Sequence, residues 1–453
     1  MRRLTLVLVA GLAGCSSANT RTSQHQRPPT GPSAPPLDSA LVPTAVASAS
    51  EQPPTPPPTG IPADANVLVI SIDSLRADRL LSHGYAEDVM PNINALEKTS
   101  LTYSRFYAVS SYTSQSIAGM LAGRYPSELK RNGSFFNVYP EDETFFPEEL
   151  QSAGIRTISG QAHFYFKKEK AGFHQGFDVW DLVEGIKADN KQDVNITSPG
   201  LFDLATKQLS DEANTKGRFF AWYHFMDPHE LYQPHEEKSF GKKAKPLYDG
   251  EIYYTDIYVK KLLDFVDAQP WGKRTVVVIT ADHGEAFNQH DIRTHGFELY
   301  DVVTRVPLIV HGPGVVPRTI DEPRSMIDFA PTFLEIFGVK ADPAFQGTSL
   351  VDEWRGGATP ARDVVTDLAR TTDNDRRRTL IHGDWEIMEF GDADAYKLFD
   401  LANDPDQDKD LSRKNKEKQA EMRDILKAEK AKIKEICPSR TSGLSHKKDG
   451  KPC

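Results

Sequence analysis

Thr275–Glu285 reads TVVVITADHGE. Six β-branched residues run without a break, and after one alanine come Asp282, His283, Gly284 and Glu285. An unbroken apolar, β-branched run is how a strand buried on both faces reads, because neither face can carry polar side chains. Asn66–Ile72 (NVLVISI), Phe219–Phe225 (FFAWYHF) and Val306–Val310 (VPLIV) have the same character. Between them lie helical patterns over Asn92–Thr99, Ser114–Leu121, Glu148–Ala153, Tyr253–Ala268 and Asp328–Phe337. Buried strands alternating with helices predict an α/β fold, with ligands beyond the C-terminal ends of the strands. Three of the runs end there in polar residues: Asp73-Ser74, Met226-Asp227-Pro228-His229 and Asp282-His283-Gly284-Glu285. That convergence is the strongest pointer to a site.

The whole chain is consistent with this reading. It has 453 residues, 39% hydrophobic, enough for a sizeable core. Its net charge of −10, from 54 basic and 64 acidic residues, argues against a nucleic-acid partner. Three cysteines exclude a disulfide scaffold and a cysteine-rich zinc module. Past Pro343 the pattern weakens. Leu380–Phe390 and Ala395–Leu401 read as two short antiparallel strands, and Ser412–Glu435 as a solvated Lys/Glu-rich helix with one apolar stripe. Cys437 and Cys453 are candidates to pair in an oxidising compartment.

The N-terminus reads as an address. Arg2 and Arg3 precede a short apolar run, Leu4–Leu12, too short to span a bilayer. Leu12-Ala13-Gly14-Cys15 resembles the lipobox of bacterial lipoproteins, which implies a signal over residues 1–14 and lipidation of Cys15. Residues 15–65 form a tether holding 12 of the 31 prolines, with a polyproline stretch over Gln52–Gly60. The expected location is the bacterial cell envelope, lipid-anchored on the periplasmic or outer-membrane face.

Asp73, Asp282 and His283 are oxygen and nitrogen donors suited to one divalent cation, Ca, Mg, Mn or Zn. Taken singly, each aspartate could cap a helix and His283 could be a hydrogen-bonded core residue. Ser110–Ser116 (SSYTSQS) clusters hydroxyls ahead of a helix. Such a cluster can simply cap, but a helix N-terminus also binds anions, and a hydroxyl beside a metal can become a nucleophile.

Together these segments resemble the sulfatase family of the alkaline phosphatase superfamily. The likeness is carried by Asn66–Asp78 with its first metal aspartate, Pro91-Asn92, and Gly123-Arg124-Tyr125-Pro126. It continues through Gly172–Asp178, His224–His229, Tyr248–Asp256, Thr280–Glu285, His295-Gly296, Arg305–Leu308 and Leu398–Pro405. It implies an alkaline phosphatase-like α/β/α sandwich with a large, mostly parallel sheet. Residues 66–340 would be the catalytic domain, 341–436 a C-terminal subdomain with a small antiparallel sheet plus helix, and 437–453 a tail.

The departures from the family pattern bear on the chemistry. Sulfatases convert a Cys or Ser in C/S-x-P-S-R to formylglycine, and counting back from Gly123 puts Thr113 in that slot. No formylglycine is expected, since a secondary alcohol cannot give it. Cys437-Pro438-Ser439-Arg440 lacks the spacer residue and is a decoy. A threonine here resembles the superfamily's phospho-transferring members. Ser74 stands where many sulfatases have a second metal aspartate, which suggests a leaner metal site. The resemblance then implies a metal held by Asp73, Asp282, His283 and Thr113, with Thr113 as nucleophile. Ser114, Gln115 and Ser116 would bind substrate or orient the nucleophile, and His229 and His295 would be catalytic. His224, His163 and His290 are weaker candidates, and Arg124 is expected to pair with a carboxylate inside the fold.

The leading function is hydrolysis of phosphate mono- or diesters. The alternatives are transfer of a phospho-linked head group to an envelope lipid or glycan, sulfate-ester hydrolysis, and a non-catalytic binding role. Specificity is expected in Phe164–Asp193 and Leu231–Leu247, through Phe164, Tyr165, Phe166, Trp180 and Tyr232 with Lys167, Lys168, Lys242, Lys243 and Lys245.

Overall fold

The computed structural model describes residues 60–186 and 196–439. The expected signal, Cys15, most of the tether and Cys453, the expected partner of Cys437, lie outside the described residues. Among the described residues no helix is long and apolar enough to cross a membrane.

A nine-stranded sheet forms the centre. Its strands are β1 (Asn66–Ile72), β2 (Leu101–Tyr107), β3 (Arg156–Gln161), β4 (Val179–Leu182), β5 (Phe219–Phe225), β6 (Thr275–Ala281), β7 (Arg305–His311), β8 (Arg318–Ile320) and β9 (Arg324–Ser325). The order is β4-β3-β5-β1-β6-β7-β2-β8, with β9 also on β2. All neighbours are parallel except those of β7, which runs against β6 and β2. In β1, β5 and β6 all seven residues are buried, as the unbroken apolar runs predict.

Helices of seven residues or more are α1 (Pro91–Glu97), α2 (Thr113–Ala122), α3 (Phe146–Ser152), α4 (Ser198–Ser210), α5 (Ala244–Asp267), α6 (Phe329–Phe337) and α7 (Lys416–Lys430). They cover both faces of the sheet. Phe220 of β5 meets Phe146 of α3 and Phe333 of α6. Tyr223, of opposite parity in the same strand, faces the other way, where Gly160 leaves room for its ring beside Leu204 of α4. Two segments of the family likeness are scaffold: Asp256 caps α1 at Asn92 and Ile93, and the Tyr248 hydroxyl donates to the Ser74 carbonyl.

A second, four-stranded antiparallel sheet follows, made of β10 (Val364–Leu368), β11 (Arg377–His382), β12 (Trp385–Phe390) and β13 (Ala395–Asp400). The stretch expected as the first of two strands is a hairpin, turning at Gly383-Asp384. One face of this sheet buries Val365, Leu380, Ile387 and Leu398 under Met422 and Leu426 of α7. The other buries Leu368, Met388 and Phe399 against Tyr112, Ile292, Leu299 and Tyr300. The small sheet therefore braces the segment between β6 and β7.

Candidate active site

Strands β5, β1 and β6 are neighbours, and the register sets Ile72 beside both Phe225 and Ala281. The residues that follow each strand must therefore meet at one rim. Ser74, with a left-handed φ of 59°, turns the chain sharply after β1, and its N–H donates to Asp282 Oδ1 at 3.2 Å. The Ser74 hydroxyl donates to Asp73 Oδ1 at 2.6 Å.

Asp73, His224 and Asp282 are fully buried there, with ligand atoms all within 4.8 Å of one another. Two acids so close, out of water, repel. Burial and then Asp73 push the Asp282 carboxyl up to about 7. Burial also opposes charge on Asp73, but His229, His224 and His283 outweigh it and hold that carboxyl well below the usual range. Asp282 Oδ2 is buried without a hydrogen bond, 3.3 Å from His283 Nε2. A divalent cation would both offset the repulsion and satisfy that oxygen, so the donor set fits one.

His224 lies in the last stretch of β5, its Nε2 3.3 Å from Asp73 Oδ2 and its Nδ1 2.7 Å from Ser71 Oγ. Ser71 Oγ also accepts from Trp222 Nε1 at 2.8 Å. The ring is thus oriented from behind, as ligating imidazoles commonly are. Sequence reading ranked His224 low. The signal available was a lone imidazole in an otherwise apolar, wholly buried strand.

Thr113 begins α2 at the same rim. Its Oγ1 lies 2.9 Å from His283 Nε2. His283 Nδ1 lies 2.9 Å from the Gly284 carbonyl, which can only accept, so Nδ1 carries the proton and Nε2 presents a lone pair to the Thr113 hydroxyl. Burial and the neighbouring His295 push His283 down to about 3, keeping it neutral. His295 behaves oppositely. Burial disfavours its charge, but Glu285, 3.2 Å from its Nδ1, lifts it to about 9, so it is an imidazolium at neutral pH. The His295 ring centre stands 4.3 Å from that of His283 and 5.3 Å from that of His229. His229 Nδ1 donates to the Glu230 carbonyl at 2.6 Å, leaving Nε2 uncommitted to the backbone. Glu285, given no role from sequence, also accepts from Tyr232 Oη at 2.9 Å.

Other residues named from sequence are occupied within the fold. The Gln115 N–H donates to the Tyr112 carbonyl at 3.0 Å, and its side-chain amide is clamped to both backbone groups of Ala369. Ser116 Oγ donates to the Asp282 carbonyl at 2.5 Å, Ser114 Oγ to Asn137 Oδ1 at 3.4 Å. Arg124 pairs with Glu143, and the His290 ring stacks on Tyr300. The specificity residues require a correction. Phe164, Tyr165, Phe166 and Trp180 are buried in the fold, and Tyr232 holds Glu285. Of the set, only the lysines are exposed.

Comparison with known proteins gives the family and the fold. A Sulfatase family model matches residues 65–339, and a model described as N-sulphoglucosamine sulphohydrolase, C-terminal, matches 294–436. The chain is 25% identical over 340 residues to an ulvan-active sulfatase of Formosa agariphila, covering 64% of this chain and 65% of that protein. It is 22% identical to a choline-sulfatase of Rhizobium meliloti, covering 75% of this chain and 81% of that protein. The solved phosphonate monoester hydrolase of Agrobacterium radiobacter shares the fold, with a TM-score of 0.66 at 16% identity over 81% of this chain and 96% of that one. With its family model spanning the whole rim from Asp73 to His295, the chain belongs to the sulfatase family.

Proposed function

We propose that this chain is a metal-dependent hydrolase of anionic esters, phosphate mono- or diesters ahead of sulfate esters, acting through a covalent intermediate on Thr113. The observation that carries the reading is the Thr113 hydroxyl set 2.9 Å from a neutral, backbone-oriented His283 Nε2. Asp73, Asp282 and His224 would hold the cation, with Mn or Zn suited to two carboxylates and an imidazole. When bound, the cation lowers the hydroxyl pKa and screens the ester's charge. His283, first assigned to the metal, instead takes the Thr113 proton at Nε2. Thr113 Oγ1 attacks the central atom in line, and the bond to the leaving alcohol breaks. The imidazolium of His295 binds the non-bridging oxygens, and His229, entering the step with a proton on Nε2 as well as Nδ1, gives the Nε2 proton to the leaving oxygen. His229 recovers one from the water that follows, while His283 hands its proton back to Thr113 Oγ1. Water then releases the group from Thr113.

Threonine is what favours phosphorus. A formylglycine hydrate can expel sulfate by collapsing to the aldehyde, and a threonine ester has no second hydroxyl to do so. The sulfatase names of the relatives favour the second reading, sulfate-ester hydrolysis. The test is turnover of p-nitrophenyl phosphate, bis-p-nitrophenyl phosphate and p-nitrophenyl sulfate with Mn or Zn, followed by mass spectrometry of acid-quenched protein. A phosphoryl group trapped on Thr113, absent in Thr113→Ala, is the expected result. A sulfuryl group on that residue would establish the second reading, and turnover that survives Thr113→Ala would overturn both.

A further inference from the structure

Eight large hydrophobic residues are exposed among the described residues, and only two of them, Phe136 (38%) and Phe297 (44%), are aromatic. Both belong to an aromatic cluster around Tyr112, the residue before Thr113. The Tyr112 ring centre is 4.1 Å from that of Phe135. Phe135 in turn stacks on Phe297 at 5.5 Å and 19° and meets Phe136 edge-on at 5.5 Å and 84°. The two exposed rings therefore stand at a steep angle and make a corner. Phe136 is backed by the buried Tyr165 at 5.3 Å, and the exposed Val138 (39%) extends the patch.

The corner is built to stay open. Asn137 Nδ2 donates to the carbonyls of Asn132 and Ser134 at 3.0 and 2.9 Å, and Asn132 Oδ1 accepts from the Val138 N–H at 3.0 Å, which pins the turn that presents Phe136. Phe297 sits on the braced segment between β6 and β7, two residues after His295. Between them Gly296, with φ of +93°, lies so close to the aromatics that a Cβ would stand 3.3 Å from the Tyr112 ring and 3.6 Å from Phe135. One segment thus carries both His295 of the reacting centre and, two residues on, the Phe297 ring that stacks on Phe135. Isolated exposed apolar residues need no explanation, but a held cluster built on the chain neighbours of Thr113 and His295 does.

We infer that Phe136 and Phe297 form a stacking platform for the alcohol part of the ester, and that the substrate carries there a flat ring face, aryl or the C–H face of a pyranose. This rests on the anionic-ester reading of the Thr113 centre. A ring lying flat on one phenyl meets the edge of the other, the two favoured aromatic geometries. Because both rings are already fixed, little ordering cost opposes binding.

The test measures binding by the metal-loaded protein of methyl, phenyl and glucopyranosyl phosphonates, or of the matching sulfonates if sulfate esters are the ones turned over. The expected result is a ring-bearing ligand bound roughly tenfold tighter than the methyl one. That ratio should collapse to about two in Phe136→Ala/Phe297→Ala and persist in Phe297→Trp, which keeps a ring and guards against a folding artefact. Preference for phenyl or for glucopyranosyl identifies the source of the ring, and either supports the platform. A wild-type ratio near one, or a ratio that survives the double substitution, overturns the platform alone. Failure of all the ligands to bind would overturn the anionic-ester reading and the platform with it.

Discussion

Two pairs of buried acids, Asp73 with Asp282 at the rim and Asp301 with Glu386 where β12 meets the segment before β7, face the same electrostatic difficulty. At the rim the neighbours are imidazoles, and the ligand atoms of Asp73, His224 and Asp282 converge. At the second place Gln407 ties the Asp301 backbone to the Glu386 carboxylate, its Oε1 accepting from the Asp301 N–H at 2.7 Å and its Nε2 donating to Glu386, while Asp301 Oδ1 is itself without a hydrogen bond. The nearby cations there are guanidinium groups, Arg305 and Arg105. Burial raises Asp301 to about 6 despite those arginines, and burial with Asp301 lifts Glu386 well above its ordinary value. The difference is instructive: fixed guanidinium groups and a proton settle one pair as a structural joint, and an exchangeable cation suits the other to chemistry.

The largest expected effect tests the rim. Asp282→Asn should lower turnover by at least about 100-fold and abolish the thermal stabilisation given by Mn or Zn, which for the parent at a thousand times Kd is about 4 kcal/mol. A melting shift with metal that survives the substitution would separate Asp282 from the cation.

A smaller effect divides the two histidines. His224→Ala should weaken metal affinity, read by titration calorimetry, by about 10- to 100-fold. His283→Ala should leave that affinity within a few-fold and lower kcat instead. The reverse pattern would return His283 to the metal and make His224 a support for Asp73.

The smallest effect concerns the joint. An acid raised in the folded state contributes most below its unfolded value near 4, and its contribution is lost as pH climbs through about 6. Asp301→Asn removes one such group, so its stability should fall less than the parent's between pH 4 and 6. At pH 7.5 it should be the more stable of the two, by at most about 3 kcal/mol for a shift of roughly two units. Parallel melting-versus-pH curves for the two proteins would break the comparison.

Much of this was legible because chemistry sat at the ends of the plainest strands. Asp73, Asp282 and His283 follow almost continuously apolar, wholly buried runs, and such runs admit one placement. β2 and β3 escaped notice because they carry polar residues satisfied only by distant partners: Ser104 by Asp321, Thr102 by Thr319, Ser159 by the Trp222 carbonyl. α5 begins at Ala244, well ahead of the expected Tyr253, with Pro246 and Gly250 masking its first turns. The turn carrying Phe135 and Phe136 gave no local cue, since its role arises from contact with Gly296, far along the chain. The buried aromatics of Phe164–Trp180 misled because composition alone does not show which side of a loop faces water.

The clamp between Gln115 and Ala369 has a practical meaning for anyone shortening the gene. A protein ending near residue 340 would retain Asp73, Thr113, His224, Asp282, His283 and His295, and would still match the family model in full. It would lack the backbone that grips the first turn of α2 and the small sheet that props the segment holding His295. Motif inspection would pass such a fragment as intact, while its nucleophile would stand on an unanchored helix end.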